Sequence, residues 1–152
     1  MKTIVSLFTL LTVASTASAA DLTVTSIGDN GPGTLREMLS IASLTPTVDV
    51  ITFDVTGDIS LESTITITGG ADIRGPGDGS VVIKLAETFD GEMFKITSAP
   101  DLVRFAGLTF DGTHALHSMI DAEEVDVTLE DVHFSNAFAD NIEDGSGGVL
   151  DF

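Results

Sequence analysis

Residues 104 to 112 read RFAGLTFDG, and 24 positions later residues 128 to 136 read TLEDVHFSN. The shift lays Phe105, Leu108 and Phe110 on Leu129, Val132 and Phe134, so the apolar positions coincide while the polar ones vary. A hydrophobic register that recurs at a period of 20 to 50 residues is the signature of a solenoid, in which each repeat buries its apolar face against the next. Around this pair lie many short runs rich in Val, Ile, Thr and Phe: 22 to 26, 49 to 55, 58 to 61, 64 to 68, 81 to 85, 93 to 96, 102 to 110, 118 to 121, 125 to 134 and 148 to 152. Several alternate with period two, as Val125, Val127 and Leu129 do against Asp126, Thr128 and Glu130, which marks strands with one buried face. Gly, Asp, Pro and Ser clusters such as TGGAD, RGPGDGS and DGSGG separate them as turns. The other spacings are less even, and Ala71 to Gly75 resembles LTFDG without sharing its offset. A parallel β-helix is favoured, with a two-sheet sandwich as the competing all-β arrangement.

One stretch breaks the pattern. In GDNGPGTLREMLSIAS, residues 28 to 43, Thr34 and Glu37 form a T-x-x-E capping box, and Leu35, Met38, Leu39 and Ala42 fall at i, i+3, i+4 and i+7. This predicts a helix over residues 34 to 43, stopped before Pro46. The end of a β-helix exposes unpaired backbone and the cut face of its core. The apolar stripe suits that end, and the helix is expected to close the N-terminal coil beside an edge strand from Leu22 to Ser26.

The first twenty residues, MKTIVSLFTLLTVASTASAA, combine Lys2, an apolar run from Ile4 to Val13 and a small-residue end, the pattern of a secretory signal peptide. Ala17 and Ala19 fit an A-x-A cleavage rule, with Ala20 as the next candidate. The expected domains are a leader at 1–20 and a β-helix at 21–152, with export to the extracellular space, the cell surface or the outer membrane. No transmembrane segment is expected in the mature chain, because carboxylates interrupt its apolar runs. The chain has no cysteine, which excludes a disulfide scaffold. All 24 acidic residues follow residue 20, and five of the six basic ones do, giving 5 minus 24, or −19, after leader removal. Nucleic acid and anionic membrane surfaces are poor partners for such a chain.

A catalytic constellation is not evident. Inverting glycosidases need two carboxylates about 6.5 to 9.5 Å apart. The clusters Asp121, Glu123, Glu124, Asp126 and Asp140, Glu143, Asp144 read as solvated faces. Arg36, Arg74, Lys84, Lys95 and Arg104 are the only bases after the leader. Arg36 is expected to pair with an acid near the helix, and Lys95 and Arg104 to point outward from a coil. His114, His117 and His133 lack the spacing of a zinc set. Asp72, Asp78, Asp111 and Asp144 sit beside glycine and could supply calcium oxygens, but as turn formers they need no ion. No cofactor is predicted, with calcium the one weak candidate.

The order N-D-x-G-x-G-[ST]-L-R, a short helix, D-x-I-x-F and then I-x-G-P-G resembles the N-terminal part of bacterial right-handed parallel β-helix repeat proteins, a group including polymorphic outer-membrane-protein-like and adhesin-like surface proteins. The matching residues are Asp29, Asn30, Gly31, Gly33, Thr34, Leu35 and Arg36, then Asp49, Ile51 and Phe53, then Ile73, Gly75, Pro76 and Gly77. Phe138 and Asn141 match the F-x-x-N repeat of that group, and Gly147 and Gly148 its G-G-A-[ILV] repeat, each in one copy. The resemblance implies an all-β, right-handed parallel β-helix of the pectate-lyase-like kind, capped by one short helix. Separately, GSGGVLDF begins what reads as another coil and stops at Phe152, so the sequence is expected to be a fragment of a longer solenoid, with a last coil protected by oligomerisation as the alternative. The resemblance also implies an exported binding or structural module, adhesin-like, with a cell-surface or matrix polysaccharide or protein as partner. The same fold includes polysaccharide lyases and glycoside hydrolases of acidic polysaccharides, which is the alternative function.

Overall fold

A computed structural model of the chain describes residues 18–97, 102–115, 118–123, 125–137 and 150–151. Every strand pairing in it is parallel, and the strands fall into three sheets that share one core. The first coil comprises β2 (Asp49–Phe53), β3 (Gly57–Leu61) and β4 (Ile65–Ile67). The second comprises β5 (Ala71–Arg74), β6 (Val81–Leu85) and β7 (Phe94–Thr97). β8 (Val103–Ala106), β9 (Thr109–Asp111) and β10 (Ile120–Glu123) make the third. β11 (Val127–Glu130), β12 (His133–Ser135) and β13 (Leu150–Asp151) make the fourth. An additional strand, β1 (Asp21–Val24), precedes them, so the sheets run β1-β2-β5-β8-β11, β3-β6-β9-β12 and β4-β7-β10-β13. The chain is a parallel β-helix, as the 24-residue register predicts.

Stacking puts equivalent side chains one above another, because parallel strands lie about 4.8 Å apart with side chains alternating in and out. Ile51, Ile73, Phe105 and Leu129 form one inward column, and Ile59, Ile83, Phe110 and Phe134 another. Phe94, Phe105 and Phe110 come from the three different sheets and are fully buried. Their ring centroids are 5.1 to 5.9 Å apart in tilted and edge-on contacts, the arrangement aromatic quadrupoles prefer. Phe134 stacks on Phe110 at 5.3 Å and extends this cluster into the fourth coil.

Two details differ from the sequence reading. The runs 102 to 110 and 125 to 134 are each two strands, split at a corner where Gly107 has φ +60° and Asp131 φ +50°. The chain turns there from the first sheet to the second, which a strand-like composition conceals. Residues 71 to 75 align with VRFAG and not with LTFDG: Ala71 faces Val103, Asp72 Arg104, Ile73 Phe105 and Arg74 Ala106. A Cβ built on Gly75 would lie 2.3 Å from the carbonyl oxygen of Gly107, so the second and third coils touch backbone to backbone at this corner.

The helix α1 (Leu35–Ala42) packs on β1, β2 and β4, with Leu35, Met38, Leu39 and Ala42 buried. It lies over the N-terminal end of the core, with β1 as the edge strand beside it. Thr34 is the N-cap, its hydroxyl accepting from the Glu37 amide at 3.3 Å. Glu37 reaches one residue further back than a capping box requires: its carboxylate accepts from the Gly33 amide at 2.6 Å. The reason is that the Thr34 amide is already directed to the Gly31 carbonyl. Arg36 meets Asp29 at 2.6 Å and also donates to the carbonyls of Ser63 and Thr64, at 2.6 and 2.9 Å. This guanidinium therefore fastens the cap to the first coil. At the other end of α1, a Cβ on Gly69 would lie 2.8 Å from Ser43 Cα, so only glycine lets the corner after β4 approach the helix end so closely. No helix among the described residues is long and apolar enough to cross a membrane.

Candidate binding groove

The corners that follow β6 and β9 stand one above the other, and two adjoining clefts of about 320 Å³ each open between them. Glu87, Thr113 and His114 line both; Thr88, Phe89 and Asp90 complete one cleft, and Ser60, Lys84 and Asp111 are among the residues lining the other. They form one groove along the outside of the second and third coils. The strand period positions its members: β6 buries Val81, Ile83 and Leu85 and turns Lys84 outward, while β9 buries Phe110 and turns Asp111 outward. In the register of β6 and β9, Lys84 and Asp111 are direct partners. Phe89 is half-buried and packs its ring against the core, leaving an apolar floor beside Glu87 and Asp90.

Asp111 is fixed tightly. One of its carboxylate oxygens accepts from the Thr113 amide at 3.0 Å, the Thr113 hydroxyl at 2.6 Å and the Asn136 side chain at 2.9 Å. These bonds, from Thr113 first and Asn136 second, hold its carboxyl below the usual aspartate range. Lys84 donates to Asp58 at 2.6 Å, and this bond holds its ammonium above its usual value. The groove is therefore an anionic trough with hydroxyl, imidazole and aromatic surfaces, and its single ammonium is turned to an acid of the first coil.

The remaining basic residues behave alike. Arg74 pairs with Asp72 at 2.5 Å; Arg104 bridges Asp72 at 2.7 Å and Glu130 at 2.5 Å; Lys95 meets Asp121 at 2.7 Å. Apart from Arg74, each of these bases reaches an acid on a neighbouring coil, so the pairs run up the outside of the cylinder as ladders. Burial works against the ionisation of Asp72, but the guanidiniums of Arg74 and Arg104 outweigh it and hold the carboxyl below its usual range.

Lys95 and Arg104 do point outward from their strands, as alternation requires, but they lie on different sheets and each is engaged by acids. They do not form one basic centre. The candidate calcium acids are also dispersed: Asp72 sits between two guanidiniums, Asp78 accepts from the Ser80 amide at 2.9 Å, and Asp111 belongs to the groove. Among the described residues, no three acid or histidine side chains converge as a metal shell. His114 lines the groove and His133 lies on β12, facing outward. Residues 1 to 17, His117, Glu124, Phe138, Asp140, Asn141, Glu143, Asp144, Gly147 and Gly148 lie outside the described residues. The groove itself escapes a sequence reading, because its two halves come from corners of unequal length; the only local signal is the D-G-T-H turn at 111 to 114.

Fold and surface together define an acidic, helix-capped parallel β-helix with a lateral groove. Comparison of the chain with protein-family models, with curated proteins and with solved structures returns no match.

Proposed function

We propose that this chain is an exported surface or secreted module, adhesin-like, whose lateral groove binds a polysaccharide without breaking it. The observation that carries this reading is the groove's lining: an aromatic floor at Phe89 flanked by Glu87, Asp90, Asp111, Thr113 and His114. Sugars combine apolar ring faces with hydroxyl donors, and carboxylates beside an aromatic side chain meet both needs. The strongly negative chain repels polyuronides and favours an uncharged or amino-sugar polymer. The pairing of Lys84, Lys95 and Arg104 with carboxylates argues against a lyase, which needs a basic group presented to the substrate. The resemblance to bacterial surface β-helix proteins supports the same export and binding role.

The test is retention of the secreted chain on immobilised neutral, amino-sugar and polyuronide polysaccharides, with released unsaturated and reducing ends assayed in the same wells. Retention on a neutral or amino-sugar polymer is expected, without product release. Glu87→Gln combined with Asp90→Asn should weaken it by about tenfold or more, the loss of roughly one charge-assisted hydrogen bond. Product release from a polyuronide, abolished by Lys95→Ala or Arg104→Ala, would instead support the lyase.

A further inference from the structure

Asp49 is an acid with no exposed surface at all. One carboxylate oxygen accepts from the backbone N–H of Ala20 at 2.7 Å, and the other from the Thr45 hydroxyl at 2.9 Å. None of the described Lys, Arg or His side chains forms an ion pair with it. A buried carboxylate is costly to keep ionised unless a positive charge is beside it. In this site the closest place for such a charge is the nitrogen of Ala20.

Ala20 is also held from its other side, since its carbonyl accepts from the Val50 amide at 2.9 Å. The chain becomes exposed immediately before it, at Ser18 and Ala19. That boundary coincides with the A-x-A pattern of Ala17 and Ala19, which directs cleavage to the Ala19–Ala20 bond. Hydrolysis there adds one water across the amide: the carboxylate leaves with Ala19, and the released amine of Ala20 takes up a proton at neutral pH.

We propose that the leader is removed between Ala19 and Ala20, and that the new α-ammonium forms a buried ion pair with Asp49. The inference rests on the export reading above. It moves the processing point one residue upstream of the expected 1–20 leader and gives that position a structural consequence. In the precursor a neutral amide donates to Asp49; in the processed chain a cation does, and a charge-assisted bond is shorter and roughly twice as strong. Asp21, next in the chain, is paired in register with Val50, so the new terminus locks the edge strand β1 onto the first coil.

Two measurements test this. The full chain, expressed with its leader in an exporting bacterium, is recovered and its first residue read by intact mass. A start at Ala20 is expected. An exported chain that starts at Asp21 or later overturns the proposal and leaves export standing, whereas an uncut chain retained in the cytoplasm overturns both. Separately, the chain is released from a cleavable fusion either with Ala20 first or with one glycine before it. The Ala20-first form should unfold at least about 4 °C higher. Asp49→Asn should erase the difference. Equal midpoints with Asp49 intact overturn the ion pair, and that comparison stands even where the Asn variant does not fold.

Discussion

Leu39→Asp is expected to abolish the soluble folded chain, or to leave it destabilised by about 4 kcal/mol or more. Leu39 is 1% exposed, on the face of α1 that covers β1, β2 and β4. The substitution removes a buried side chain whose burial contributes about 1.5 to 3 kcal/mol and places an unpaired carboxylate in the same apolar site. It also lifts the cap from the edge of the core, where the uncovered strands would recruit other chains. Thermal unfolding and size-exclusion chromatography of the variant check this. An unchanged midpoint and a single unaggregated species would mean that α1 does not close the end of the β-helix. Arg36 cannot rescue the helix alone, because its bonds to Asp29, Ser63 and Thr64 depend on the same docking.

The second large effect lies in the middle of the stack. Phe105→Ala is expected to cost about 3 to 5 kcal/mol, the usual range for emptying a buried aromatic site. Phe105 touches both Phe94 and Phe110, with centroids 5.1 and 5.7 Å away, and stands in register between Ile73 and Leu129. Strands from successive coils cannot slide to fill the space without breaking their ladders, so the cavity persists. Chemical denaturation should show a lowered midpoint. By contrast Phe134→Ala, in the half-buried fourth coil, should cost distinctly less, because its site is already open to solvent.

Much of this fold is legible in the sequence. The 24-residue shift pairs Phe105 with Leu129 and Phe110 with Phe134, and those are the partners found. The stripe Leu35, Met38, Leu39, Ala42 gives the helix and its buried face. The rest is hidden by unequal corners: along the first sheet the steps are 22, 32 and 24 residues, from Asp49 to Ala71, to Val103, to Val127. A fixed-period comparison finds only the last of these, and Ala71 to Gly75 is consequently matched to the wrong strand. The same irregularity hides the groove. Glu87 and His114 become neighbours because two corners are stacked, and no local spacing announces that. The ion pairs are legible as outward-pointing charges but not as pairs: Lys84–Asp58, Lys95–Asp121 and Arg104–Glu130 are each 26 residues apart, two more than the apolar repeat, and Arg104–Asp72 is 32 apart. The environment of Asp49 was equally concealed, because strand composition does not say which polar residue faces inward.

The stack is the feature on which the cap, the ladders and the groove all depend, and a single distance tests it. Thr23, Thr52, Arg74, Ala106 and Glu130 are successive register partners across the first sheet. The chain has no cysteine, so Thr23→Cys and Glu130→Cys can be spin-labelled without background. Four inter-strand steps of about 4.8 Å separate the two backbones by about 19 Å. A pulsed dipolar measurement should give a narrow distribution near that value, widened only by the label arms. A broad distribution, or one centred beyond about 30 Å, would contradict a cylinder of parallel coils.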